Sequence, residues 1–518
     1  MTMDMLSMPI FFFFISFGVF LILDFLYPSK AKTATTSTAK KSDHHGFKSY
    51  PFLGCAPQFL ANRHRLLEWA SDTLTSIPTG TTTMHCPGNF HAVITVDPKT
   101  VEHILKTNFQ NYPKGGSTIP LRDFLGHGIF NADGDLWKLQ RKTASYEFNR
   151  RSLCDFTMIC LQTQIQTKLI PLLSRSAMTG RALDLQDVWE RFTFDNICKL
   201  LLDADAGSFV GDGSDRDPWL MWAFDDAAVL SVGRYMYGLS HIWNAMRFLN
   251  LGSEKRLNES IRIVHAFLDK IIQKRLDDKP ENHDFLSRFI RTGENSPELL
   301  RDVMTSFILA GRSTSSSLSW LFWLLSSHPS VVQNIRSEIN AIRAKTKKQP
   351  GETFDLDELR EMNYLHAVIS ETMRLYPPVP INLRSCIGDD VLPDGTKIKK
   401  GWFVFYHTYA MGRMESIWGK DCNSFLPERW LDHNGTCKTE SPFRYPVFHA
   451  GPRTCLGKET AYVQMKSVVA CVIEKFDVEA ARVEKTMPEY TPTPLLRMKH
   501  GLPVRVKARE LARVDRFV

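Results

Sequence analysis

The chain has 518 residues, a formal net charge of +8 and 43% hydrophobic residues, the balance of a packed body with a basic bias rather than of a disordered or fibrous chain. It carries no Walker loop, dinucleotide-binding glycine fingerprint, His-Glu-x-x-His pair, Cys-x-x-Cys zinc spacing or nucleic-acid-binding motif, which argues against those classes. After the first fifty positions no Gly/Pro/Ser-rich break divides it, so one large body is expected.

Residues 6–23 are almost continuously apolar, with Phe11, Phe12, Phe13, Phe14, Phe17 and Phe20 among them, and approach the roughly 20 residues a membrane helix needs. The start Met1-Thr2-Met3-Asp4 lacks a basic region and the exit Asp24-Phe25-Leu26-Tyr27-Pro28 lacks a small-residue cleavage site, so a retained anchor is expected rather than a signal peptide. Lys30, Lys32, Lys40 and Lys41 follow it and place the body on the cytosolic side, with its cysteines reduced. Residues 1–28 are therefore read as a membrane anchor, 29–57 as a linker ending in a proline-rich hinge at Pro51 and Pro57, and 58–518 as the body.

In that body, 81–85 and 91–96 flank Cys86-Pro87-Gly88-Asn89 and predict a hairpin. Helical periodicity dominates from Val101 onward, with short strand signals at 402–409 and around Val504, giving a mainly α fold with small β-sheets. Trp137 and Arg141 share a helix face at i, i+4. Residues 299–327 predict one long helix closed by Pro329, and the run Ala310-Gly311-Arg312-Ser313-Thr314-Ser315 weakens it enough for a local kink. Glu371 and Arg374 pair at i, i+3 just before Leu375-Tyr376-Pro377-Pro378, and Phe425-Leu426-Pro427-Glu428-Arg429-Trp430 supplies a second arginine. Taken singly, these are surface pairs and solvated helix faces.

The run Phe448-His449-Ala450-Gly451-Pro452-Arg453-Thr454-Cys455-Leu456-Gly457 is different. Its five specified residues over ten positions arise by chance about once in 10⁷ starts. A helical run beginning near Leu456 would set Cys455 at a helix N-terminus, where unpaired N–H groups favour a charged sulfur.

This loop and the motifs before it resemble those of the cytochrome P450 family, the haem-thiolate monooxygenases, over nearly everything after the hinge. The resemblance implies the P450 fold behind an N-terminal transmembrane helix, with 58–518 the haem-thiolate catalytic domain. It implies haem b with Cys455 as axial thiolate, Trp137, Arg141 and Arg453 toward the haem propionates, Phe448 shielding the sulfur, and Gly451 and Gly457 letting the backbone approach. Glu371, Arg374 and Arg429 would form a buried structural triad. On the distal side Gly311 would make room for O₂ and the Thr314 hydroxyl would hold the oxygen-derived ligand, while Ser313 stands where the family pattern has an acid. A serine relays protons but stores none near neutral pH. NADPH electrons would arrive through a membrane-bound NADPH–cytochrome P450 reductase rather than from a nucleotide bound by this chain.

Tyr406-His407-Thr408-Tyr409-Ala410-Met411-Gly412-Arg413-Met414-Glu415, with the cysteine loop, resembles the plant fatty-acid ω-hydroxylase branch. That implies terminal hydroxylation of an elongated lipid, a fatty acid or a molecule derived from one, by a monomer in the endoplasmic reticulum membrane. Terminal oxidation of a steroid side chain or of a jasmonoyl–amino-acid conjugate is the alternative; a haem-thiolate isomerase or dehydratase and a non-catalytic haem or lipid binder are two further classes. Ser117, Ile119, Phe124, Ile129, Phe307, Ala310, Val379, Ile381, Leu495 and Leu496 are the expected pocket wall, apolar enough to hold a chain by burial. Arg122 and Arg384 are the candidates for a substrate carboxylate.

Overall fold

The computed structural model describes residues 46–510 except 51–52, 87–89, 149–150, 210–217, 238–239, 278–283, 292, 294–295 and 482–486. The anchor expected at 1–28 and most of the linker lie outside these residues, and no described helix is long and apolar enough to cross a membrane.

A four-stranded sheet forms one edge, built from β1 (Thr81–Cys86), β2 (Phe90–Thr95), β3 (Asn382–Ser385) and β4 (Phe403–Tyr406) in the order β1-β2-β4-β3. The predicted hairpin pairs Thr81 with Thr95 and Cys86 with Phe90. The strand signal at 402–409 ends early. His407 Nδ1 accepts the Ala410 N–H at 3.1 Å, capping a short helix, Thr408–Met411, which turns the chain out of the sheet. A second sheet pairs Pro503–Ala508 with Phe476–Ala480 and with Leu183–Asp184. The hinge packs on β1 through a bond from the Cys55 N–H to the His85 carbonyl, 2.8 Å.

Helices make up the rest. Those that frame the site are α1 (Gly134–Phe148), α2 (Leu185–Leu202), α3 (Trp219–Gly233), α4 (Pro297–Gly311), α5 (Ser313–Ser327), α6 (Asn363–Leu375) and α7 (Lys458–Lys475). The long helix expected over 299–327 is two helices, α4 and α5, meeting at Arg312. Ser296 caps α4 by accepting the Leu299 N–H, and Pro297 fits the first turn, where its missing N–H costs nothing. The apolar faces of α2, α5, α6 and α7 pack one core around Trp189, Trp320, Ile369 and Val469, and α3 and α4 pack a second around Phe124, Phe224, Phe285 and Phe307. Trp320 lies flat on Tyr376, centroids 4.4 Å apart, tying α5 to the end of α6.

Candidate active site

The cysteine loop runs through two 3₁₀ turns, Pro446–Phe448 and Gly451–Arg453. The Cys455 N–H donates to the Phe448 carbonyl at 2.8 Å, closing the loop on itself. Helix α7 starts at Lys458, three residues past the cysteine rather than at Leu456. The thiol still meets donors: the Gly457 N–H, Arg141 and Lys458 all favour the charged sulfur, while burial, the larger effect, pushes its pKa up. The two glycines differ from expectation. Gly451 has φ +65°, and a Cβ there would lie 2.0 Å from the Leu105 carbonyl oxygen, so it is needed for backbone against backbone. Gly457 has φ −88° and nothing described within 4 Å of a Cβ. Close approach by a cofactor face is compatible with Gly457 alone.

Around the loop, Trp137, Arg141 and Arg453 come together as their motifs predict. Arg453 lies over the Trp137 ring at 4.3 Å, and its Nη2 donates to the Ala132 carbonyl at 2.8 Å and to Asp133 at 2.6 Å. Two more cations join them. Arg384, on β3, is 1% exposed, and Lys114 is driven well below the usual lysine range by burial and by Arg384 and Arg453, with Asp133 pulling it back. The same burial and the same cations push His449 down to about 3. Its Nδ1 shares a hydrogen with the Tyr406 hydroxyl at 2.8 Å.

This concentration of positive charge is a test of the expected cofactor. Buried Arg384 Nε and Arg453 Nε have no hydrogen-bond partner among the described residues, and unpaired buried donors are costly. A group bearing two carboxylates answers both the charge and the donors, so these residues fit haem propionates. Arg384, offered by the sequence as a candidate for a substrate carboxylate, lies in this cluster and fits a propionate as well. Sequence spacing could not show it, because Lys114 and Arg384 meet the loop only through the fold.

At the start of α5, Thr314 is 4% exposed and its hydroxyl donates to the Gly311 carbonyl at 2.9 Å. Ser313 does the same to Ala310 at 2.9 Å. Gly311 does not open space for oxygen: a Cβ there would strike Ile197 of α2 at 2.4 Å, so its missing side chain lets α4 and α2 close up.

The expected wall residues divide. Ala310, Val379, Ile381 and Leu495 are half-buried and Ile129 is buried. Ile119 is 49% exposed and turned outward. Phe124 packs edge-on against Phe224 at 5.1 Å, Phe307 meets Phe285 at 4.9 Å, and Leu496 sits in the core with its carbonyl accepting from Ser316 and Trp320. The Ser117 hydroxyl is spent on the Lys114 carbonyl. These four serve packing and backbone satisfaction.

Behind the loop, Glu371 holds Arg374 through two bonds of 2.7 Å, both side chains fully buried, and Arg429 Nε lies 3.5 Å from the same carboxylate. Trp430 Nε1 donates to it at 2.9 Å, a partner the motif did not predict. Arg374 also binds the carbonyls of Gly412, Cys422 and Ser424, so the charge cluster pins two loops.

A helical body with small sheets, a half-buried cysteine loop and a cationic cradle for a dicarboxylate group define a haem-thiolate oxidoreductase. The Cytochrome P450 family model matches residues 45–505, and the chain belongs to that family. Among its relatives are Cytochrome P450 CYP94D108 of Paris polyphylla, 47% identical over 89% of this chain and 92% of that one. Cytochrome P450 94A2 of Vicia sativa is 42% identical over 93% and 94%, and Cytochrome P450 94B1 of Arabidopsis thaliana 43% over 98% and 99%. The resemblance to the ω-hydroxylase branch thus holds in the relatives found. Haem, when bound through Cys455, supplies the electron transfer and oxygen activation of a monooxygenase. Arg384 and Arg453 would hold its carboxylates, with Trp137 and Arg141 beside them, and Phe448 would stand over the sulfur.

Proposed function

We propose that the chain hydroxylates the terminal region of an elongated lipid, a fatty acid or a molecule derived from one, at the endoplasmic reticulum membrane. The observation that supports this most is that four of the expected wall residues, Ala310, Val379, Ile381 and Leu495, are apolar and half-buried rather than sealed in the core. Such a wall holds a hydrocarbon chain at about 0.8 kcal/mol per methylene. It offers little to a sugar. The Tyr406 to Glu415 segment and relatives of the 94 group add to this reading. Electrons from NADPH would come through a membrane reductase, the catalytic domain would face the cytosol as a monomer, and the 1–28 segment would be the single anchor.

The test is incubation of the membrane-reconstituted protein and reductase with a fatty acid, a jasmonoyl–amino-acid conjugate and a sterol, reading products by mass. One added oxygen on the end carbon of the fatty acid is expected, with NADPH consumed. Exclusive oxidation of the sterol or conjugate replaces the substrate assignment, and a rearranged product formed without NADPH would mark an isomerase. Protease outside sealed microsomes should digest the domain; its protection would reverse the topology.

A further inference from the structure

Where α4 gives way to α5, a small pocket opens, its lining largely apolar with a few charged and hydroxyl groups set in it. Its walls include Glu190, Asp225, Arg312, Ser315, Thr493 and Arg497. Arg312, 4% exposed, pairs with Asp225 at 2.6 Å, and Glu190, 6% exposed, pairs with Arg497 at 2.7 Å. Arg312 Nη1 is buried without a hydrogen-bond partner among the described residues, so the pocket presents a donor ready for water.

Three successive hydroxyls wrap the break. Ser313, Thr314 and Ser315 each donate to the carbonyl three residues back, at 2.9, 2.9 and 2.7 Å. Successive residues on a helix are about 100° apart, so the three hydroxyls spread around the break, and one of them, Ser315, is part of the pocket wall.

We propose that this pocket is the proton inlet of the monooxygenase and that Glu190 is the acid standing in for the one missing at Ser313, with Ser315, Thr314 and pocket water carrying the proton across the break. The proposal rests on the family's oxygen chemistry and not on which lipid is oxidised. Each turnover takes O₂, two electrons from the reductase and two protons, places one oxygen atom in a C–H bond and releases the other as water. Glu190 gives up each proton in turn and recovers one from solvent past the half-exposed Arg497. The geometry is matched by chemistry: burial holds Glu190 up at about 7, with Arg497 and Arg312 lowering it and Asp225 and Asp187 raising it, the range in which a carboxyl both gives and takes protons.

The test uses the haem-loaded protein with its reductase. Product and hydrogen peroxide per NADPH are measured across pH for wild type, Glu190→Gln, and Glu190→Gln with Ser313→Asp. In wild type, coupling should fall as pH rises through about 7. Glu190→Gln should abolish that step and raise peroxide per NADPH at least about tenfold, while Ser313→Asp in the same chain should restore coupling by putting the acid on the helix. In the resting protein, without substrate or electrons, the infrared band of a protonated carboxyl should vanish with a midpoint near 7 and be shifted in Glu190→Asp. A coupled Glu190→Gln enzyme, a loss that Ser313→Asp leaves unrepaired, or a wild-type protein with no carboxyl titrating in that range overturns the assignment.

Discussion

Gly451 is the residue of the cysteine loop with the least freedom. Its positive φ and the Leu105 carbonyl 2.0 Å from any added Cβ mean that Gly451→Ala must move backbone, at a cost of about 2 to 4 kcal/mol. The measurement is urea unfolding of the purified domain, with the ferrous–carbon monoxide spectrum reporting the thiolate. Cys455→Ala should instead keep the fold and lose the red-shifted Soret band outright. At this scale the site was half legible. Cys455, Arg453, Trp137 and Arg141 lie in fixed local spacings, which a helix or tight loop converts directly into shared faces. Lys114 and Arg384 belong to a turn and a strand with no pattern of their own, and their roles exist only after β3 is laid beside the loop. Gly311 was legible as necessary and misread as to why, because Ile197 reaches it from another helix.

Elements carry the charge cluster behind the loop. Helix α6 delivers Glu371 and Arg374 fully buried, so Glu371→Gln leaves Arg374 charged and dry, and Arg429 nearby without its countercharge. A loss of about 3 to 5 kcal/mol is expected, read as a lowered urea midpoint. Trp430 belongs to the same unit, and Trp430→Phe, which removes one donor to the carboxylate, should cost about 1.5 to 3 kcal/mol. Between α4 and α5 the outcome differs from a continuous helix because hydroxyl side chains compete for the carbonyls that would have accepted backbone N–H groups. Apolar residues at helical spacing run up to Ala310 and resume at Leu318, and the polar run between them was legible as a weak point of one helix, not as the end of one and the start of another. The sheet was legible as a hairpin, but the parallel pairing of β2 with β4, Ala92 beside Phe403, joins segments about three hundred residues apart that no local signal connects.

For the whole molecule, acid is the exposed flank. His407 is completely buried, accepts the Ala410 N–H and is held down at about 3, whereas an unfolded chain protonates its histidines near 6.5. The unfolded state therefore binds the extra proton between those values, so this contribution is whole above pH 6.5 and shrinks as pH falls toward 3, by about 2 kcal/mol at pH 5. His407→Asn keeps an acceptor for the cap and removes the titration, so its denaturant midpoint should change less between pH 7.5 and 5 than the wild type's does. The cradle of Lys114, Arg384 and Arg453 has a bearing on biosynthesis as well as on catalysis. Like charges gathered in a dry site oppose their own assembly, and a chain that has not yet received its prosthetic group must close around that frustration unaided. The dianionic haem then acts as a folding ligand, stabilising in proportion to how tightly the closed form holds it. Yield of folded protein in a cell should track haem supply, and Lys114→Met should ease the closing of the haem-free chain while letting the loaded protein shed its pigment faster.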